Sequence, residues 1–235
     1  MTARAIPPEF RGQVITIDGP AGSGKSTTAR LLARRLGFEY LDTGATYRAV
    51  ALMAKRGNVD LADDAAVRQM LAGFVMHFEA RADANHVFLN DEDVTAAIRT
   101  PEIDRLVSPV AAHVGIRRFL AAWQRERAAH GNVVLEGRDT GTVVCPNADV
   151  KIFLDASLGT RARRRQMDFR QAGLPDAIDE LQKDIVRRDR ADSERAHGPL
   201  KRADDAVVVD TSDLTIEAQV ERVYNVCLKR LTGQD

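Results

Sequence analysis

Gln13-Val14-Ile15-Thr16-Ile17-Asp18 is a β-branched run bounded by turn residues, and it predicts a strand. From residue 25 to 36 the apolar positions fall at helical spacing until Gly37 stops them, so strand, loop and helix follow in order. Residues 38–41 predict a second short strand. Residues 43–56 predict a second helix, with Val50, Leu52 and Met53 among its apolar positions and Gly57-Asn58 at its end. This alternation points to a parallel sheet and an α/β fold.

From about Gly73 the period changes. Phe74-Val75-Met76-His77-Phe78, His86-Val87-Phe88-Leu89 and Glu92-Asp93-Val94 predict short strands joined by polar turns, a small antiparallel insertion. Helix resumes over residues 102–129 and is expected to be interrupted at Pro109, which lacks a backbone N–H. Residues 132–136 and 149–154 then have the continuous apolar composition of strands buried on both faces. A highly charged helical stretch over 160–195, a last strand at 206–209 and a closing helix from about 215 to 231 complete the pattern.

The loop between the first strand and helix reads Gly19-Pro20-Ala21-Gly22-Ser23-Gly24-Lys25-Ser26, the Gly-x-x-x-x-Gly-Lys-Ser/Thr phosphate loop in the context it requires. Glycines keep side chains clear so that backbone N–H groups can wrap a triphosphate, and the helix that follows turns its positive end toward the anion. Gly19 to Thr27 are therefore the candidate ATP-binding segment. Lys25 is expected to reach the β and γ phosphates, and Ser26 to offer its hydroxyl to Mg²⁺ or to a water on it.

Composition narrows what such a loop does. Lys and Arg together number 34, as do Asp and Glu, so no net charge holds the chain to nucleic acid or to an anionic membrane. Cys145 and Cys227 lie far apart with no metal-ligand spacing around them. No apolar run approaches the roughly 18 residues of a membrane span, and residues 1–12 lack the apolar region of a signal peptide, so a cytoplasmic protein is expected. The Asn-Lys-x-Asp element that reads guanine in GTPases is missing. A switch protein that binds nucleotide without transfer would need no cationic residues for a second anion.

Those residues are present. Leu41-Asp42-Thr43-Gly44-Ala45-Thr46-Tyr47-Arg48 places a capping hydroxyl, an aromatic and an arginine at a helix start after the second strand. Leu135-Glu136-Gly137-Arg138-Asp139-Thr140-Gly141-Thr142-Val143-Val144 places an arginine and a carboxylate after another core strand. Both lie at strand carboxyl ends, where open α/β sheets bind ligands.

With the phosphate loop, these two segments resemble the nucleoside monophosphate kinases, and among them the bacterial cytidylate kinases. The resemblance runs from about Val14 to the closing helix, through Ile98-Arg99-Thr100-Pro101-Glu102, residues 150–156 and Arg188-Asp189-Arg190-Ala191-Asp192-Ser193-Glu194-Arg195. It implies a P-loop three-layer sandwich with a central parallel sheet. The kinase core would occupy 1–61 and 101–235, an inserted monophosphate-binding subdomain 62–100, and a short arginine-rich lid about 157–173. It implies transfer of the γ-phosphoryl group of ATP to CMP or dCMP with Mg²⁺, by a monomer.

Carried over by position, it suggests that Arg48, Arg138 and Arg195 hold the acceptor phosphate, Asp192 and Arg188 the ribose, and Ser108, Arg117 and Asp139 the cytosine. Thr43 and Tyr47 would complete the CMP site, and Lys25, Arg138 and Asp139 the catalytic set. Thr43 stands where the family's motif has serine and keeps the hydroxyl. Arg161, Arg164 and Arg165 would neutralise the transferring phosphate from the lid.

Plainer readings stand beside these. Arg48 and Arg117 are residue types found more often on solvated surfaces. Asp192 and Arg188 fit an i, i+4 surface pair equally well. The arginine run also suits a solvated helix face, and Tyr47 could simply fill the base of its helix.

Overall fold

The protein is described by a computed structural model over residues 7–81, 85–171, 173 and 177–233. It divides into two compact units, Met1–Tyr40 with Ala128–Asp235, and Leu41–Arg127.

The first unit is built on a five-stranded sheet with the order β2-β6-β1-β7-β8. Its strands are β1 (Val14–Asp18), β2 (Glu39–Asp42), β6 (Val133–Gly137), β7 (Val150–Asp155) and β8 (Val207–Asp210). β1 pairs in parallel with β6, Ile15 opposite Val134, and with β7, Ile17 opposite Ile152. Ile15, Thr16 and Ile17 are fully buried, as expected of a strand covered on both faces. Helices α1 (Lys25–Leu36) and α8 (Ile216–Thr232) contribute Leu32, Leu36, Val223 and Cys227 to one apolar core with Ile15, Val134, Ile152 and Val209. Phe10 enters this core stacked on Tyr224, with ring centroids 5.6 Å apart. α1 ends where the pattern places it, at Gly37 in the left-handed conformation. Burial pushes the Cys227 thiol up to about 12.

Where β1 leaves the sheet, Gly19 passes so close to β7 that a Cβ would stand 2.0 Å from the Leu154 carbonyl oxygen. No side chain fits there.

The charged stretch at 160–195 is two helices, α6 (Leu158–Gln171) and α7 (Ile178–Ser193). Of the lid segment read at 157–173, residue 172 lies outside the described residues.

The second unit holds α2 (Thr43–Arg56), α3 (Asp64–Ala72), an antiparallel sheet of β3 (Met76–Ala80), β4 (Asn85–Leu89) and β5 (Glu92–Asp93), then α4 (Pro101–Ala112) and α5 (Val114–Ala128). The unit extends beyond 62–100 at both ends. Val50 of α2, Val110 of α4 and Ile116 and Leu120 of α5 share one core with Met76, Val87 and Leu89 of the small sheet.

Two features depart from the pattern. α3 was not expected; it buries only Val67 and Leu71, and is started by Asp63, whose carboxylate accepts from the Ala65 and Ala66 N–H groups at 2.8 and 3.1 Å. Pro109 lies inside α4, and the break falls at His113, which has extended dihedrals. His113 Nδ1 accepts from the Ile116 N–H at 3.3 Å and so starts α5, while Nε2 lies 3.2 Å from Asp64 Oδ1.

Candidate active site

The phosphate loop follows β1 and ends on α1, whose N-terminal flank is Gly24 at φ 91° with no side-chain cap. The first N–H groups of α1 are thereby left for an anion. Lys25 is 5% exposed and its Nζ donates to the Pro20 carbonyl at 2.7 Å. Burial, and then the nearby Arg138 charge, lowers the Lys25 ammonium to about 7, against the opposite pull of Glu136. Ser26 is exposed on the first turn of α1 and Thr27 is half-buried beside it.

The carbonyls of the loop are tied from behind. The Ala21 oxygen accepts from Arg161 Nη1 at 3.2 Å, the Ser23 oxygen from Thr211 Oγ1 at 3.1 Å, and the Gly24 oxygen from Thr28 Oγ1 at 2.9 Å and Gln219 Nε2 at 3.3 Å. Gly24 is also the residue that Gln219 crowds, since a Cβ there would sit 2.7 Å from Nε2.

Asp18, the last residue of β1, fixes the segment after β6. Its carboxylate accepts from Thr140 N–H at 2.9 Å, Thr140 Oγ1 at 2.8 Å and Gly141 N–H at 2.8 Å. Burial pushes the Asp18 carboxyl up while these donors hold it down. The segment they fix is a π-helical turn, Thr140–Val144, a rare geometry that concentrates at functional sites. Buried Asp139 precedes it and Arg138 precedes that. On β6, Glu136 is buried and accepts from the Tyr40 hydroxyl at 2.8 Å.

α7 brings its own charges to this unit. Asp192 accepts from Arg138 Nε at 2.8 Å, with Arg195 Nη1 at 3.6 Å. Burial opposes the charge on Asp192, yet Arg138, backed by Arg195 and Arg188, holds its carboxyl below the usual range. One turn earlier, Asp189 accepts from the Ala21 N–H at 3.3 Å and pairs with Arg161. Of the other lid arginines, Arg164 donates to the Thr211 carbonyl at 2.7 Å and Arg165 lies 4.9 Å from the Phe169 ring centroid.

The remaining acceptor candidates belong to the second unit. The helix start at α2 is capped by Asp42, which accepts from the Ala45 N–H at 2.9 Å, rather than by the Thr43 hydroxyl. Thr43 is buried as the first residue of α2. Arg48 donates to the Ile98 carbonyl at 3.3 Å and pairs with Asp104. Arg117, buried on α5, donates to the Ala111 carbonyl at 3.2 Å and lies 5.6 Å from the Tyr47 ring centroid. Ser108 is exposed on α4.

A family profile described as cytidylate kinase matches residues 15–229. The chain belongs to the cytidylate kinase family. The cytidylate kinase of Geobacillus sp. (strain WCH70) is 45% identical over 92% of this chain and 97% of its own. That of Shouchella clausii (strain KSM-K16) is 46% identical over 92% of this chain and 96% of its own. Membership of the cytidylate kinase family makes the protein a phosphotransferase. In fold it also resembles an uncharacterized protein from Eubacterium ventriosum, at TM-score 0.51 and 12% identity over 95% of this chain and all of that one.

Within this cytidylate kinase fold, five residues that the motifs did not single out stand at the site. Asp18 ends β1, Glu136 is the last residue but one of β6, and Asp189 adjoins Arg188, so each had a positional signal. Thr211 and Gln219 had none, being a hydroxyl after the last strand and an amide on an amphipathic helix. Among the described residues no helix is long and apolar enough to cross a membrane, and no group of three or more His, Cys, Asp or Glu is disposed to hold a metal ion.

Proposed function

We propose that this enzyme transfers the γ-phosphoryl group of ATP to CMP or dCMP, giving ADP and CDP or dCDP. The observation that carries the reading is, within one unit, a buried lysine on a phosphate loop near enough to Arg138 to feel its charge, with Arg138 itself bound to Asp192 beside Arg195. The first suits a polyphosphate donor and the second a further phosphate, in a chain of the cytidylate kinase family.

An acceptor phosphate oxygen is already nucleophilic near neutral pH, so no general base is needed. It forms the new bond to the γ phosphorus as the bond to the β–γ bridging oxygen breaks and ADP leaves. Catalysis then consists of positioning and charge compensation. Lys25 regains its full charge against the donor phosphates. In the first unit Arg138, aimed by Asp192, serves the acceptor phosphate, Arg188 the ribose and Asp139 the base; in the second, Arg48 suits a phosphate, and Ser108 and Arg117 a base.

Mg²⁺ fits the donor set, because it takes one or two protein ligands and completes its shell with phosphate oxygens and water. The exposed Ser26 hydroxyl offers such a ligand, whereas Asp18 is committed to three donors. When bound, the ion would neutralise charge on the transferring group.

Base choice tests the assignment. Cytosine presents an amino donor where uracil presents a carbonyl, so a carboxylate reading that edge favours CMP over UMP. Loss of a charge-assisted hydrogen bond costs about 1.5–3 kcal/mol, or roughly 10- to 150-fold in kcat/KM. Wild-type enzyme is expected to prefer CMP to UMP, and Asp139→Ala to shrink that ratio. Measurement of kcat/KM for both substrates decides the matter: an unchanged ratio removes Asp139 as a base reader, and a wild type favouring UMP or AMP overturns the proposed function.

A further inference from the structure

A phosphate loop binds anions only while its N–H groups point inward, and each N–H shares a rigid planar peptide unit with the preceding carbonyl, directed to the opposite side. Whatever holds a carbonyl outward therefore aims the next N–H inward. Ser23 and Gly24 form such a unit at the foot of the loop. Gly24 sits at φ 91°, and glycine gives its backbone no steric bias toward one orientation. Something outside the loop has to supply that bias.

We infer that Thr211 is a positioning residue for donor binding, whose hydroxyl holds the Ser23 carbonyl outward and so presents the Gly24 N–H to the donor phosphates. Thr211 follows β8 and is completely buried. Its Oγ1 carries one proton, with the Ser23 carbonyl at 3.1 Å and the Asp155 carbonyl at 3.0 Å in reach; the Asp155 oxygen already accepts from the Thr211 N–H, which leaves the proton for Ser23, and Oγ1 accepts from Arg164 Nη1 at 3.1 Å. Its own N–H donates to the Asp155 carbonyl at 2.8 Å and its carbonyl accepts from Arg164 Nη2 at 2.7 Å. The residue is thus held on both sides, to the end of β7 and to α6, before it touches the loop. A hydroxyl fixed in this way is a rigid stop, because it cannot rotate away without breaking the other bonds.

The next peptide unit repeats the device. The Gly24 carbonyl is held by Thr28 and Gln219, which aims the Lys25 N–H inward, but three donors reach that oxygen, whereas the Ser23 oxygen has Thr211 as its side-chain donor. Removing the Thr211 hydroxyl leaves the buried Ser23 carbonyl without its side-chain donor, so the peptide gains by turning that oxygen toward another donor. Nucleotide binding then has to turn the peptide back, so affinity falls even though Thr211 never touches the ligand.

The inference rests on the reading that this loop binds the donor phosphates, and the experiment separates the two. Titration of Mg²⁺-ADP into wild-type protein comes first; failure to bind overturns that reading and the inference with it. Thr211→Val, which keeps the shape, is expected to bind ADP about tenfold more weakly with an unchanged KM for the acceptor. Thr211→Ser, which keeps the hydroxyl, is expected to restore wild-type affinity. Should the valine variant not fold, Thr211→Ala takes its place with the same expectation. A lowered melting temperature with undiminished ADP affinity, or a serine variant as weak as the valine, shows Thr211 to be packing alone and overturns the inference.

Discussion

Lys25 is costly to bury, and its site is organised around that cost. Burial, followed by the neighbouring Arg138 charge, lowers its ammonium from an ordinary 10.5 to about 7. Donor phosphates favour the ammonium, so ADP binding above pH 7 should take up a proton, and affinity should strengthen as pH falls toward 7. Calorimetric titration at pH 8 in two buffers of different ionisation heat measures this directly; identical heats would mean that Lys25 is already charged before binding. For folding the sign is opposite to that of a paired lysine. Between about pH 7 and 10.5 the unfolded chain binds the Lys25 proton more tightly, so this group's penalty is fully present below 7 and is relieved as pH rises toward 10.5.

Elements were legible in the sequence to the extent that their signals were local. α1 and α2 end where glycines place them, at Gly37 and Gly57, and the β-branched runs of β1, β6 and β7 identify buried strands within a residue or so. α3 was not legible because two buried residues, Val67 and Leu71, make too weak a period to set against its polar surroundings. Pro109 misled for a definite reason: proline removes one N–H, but α4 continues past it and ends only where His113 turns extended. His113 is therefore the residue on which the start of α5 depends. His113→Ala should destabilise the protein by about 1 kcal/mol in urea unfolding, the usual cost of a lost N-cap, while ADP affinity stays as it was. A change in ADP affinity would mean that the α4–α5 junction influences the donor loop.

At the level of the whole molecule, the donor loop and the Arg138–Asp192–Arg195 cluster share one unit, whereas Arg48, Arg117 and Ser108 belong to the other. Substitutions are expected to sort accordingly. Arg48→Ala should lower kcat/KM for CMP by roughly 10- to 150-fold through the loss of a charged contact and leave ADP affinity unchanged. Parallel titrations with ADP and CMP check this, and equal losses in both would remove Arg48 from the acceptor side. The site's contiguous motifs were readable because their residues adjoin in sequence. Thr211 and Gln219 were not, because the carbonyls they hold lie 188 and 195 residues away.

That separation bears on what the motif records. Gly19 opens the phosphate loop, yet the atom that forbids a side chain there is the Leu154 oxygen of a neighbouring strand and no part of a ligand. The requirement would persist in a descendant that had lost phosphoryl transfer altogether, for as long as β1 and β7 kept their spacing. Gly24 differs, since Gln219, the side chain that crowds it, is flexible, and what requires glycine there is its own left-handed φ of 91° at the entry to α1. Under relaxed selection the first glycine should survive for as long as the two strands keep their spacing, and the second only for as long as the loop keeps its left-handed turn into α1.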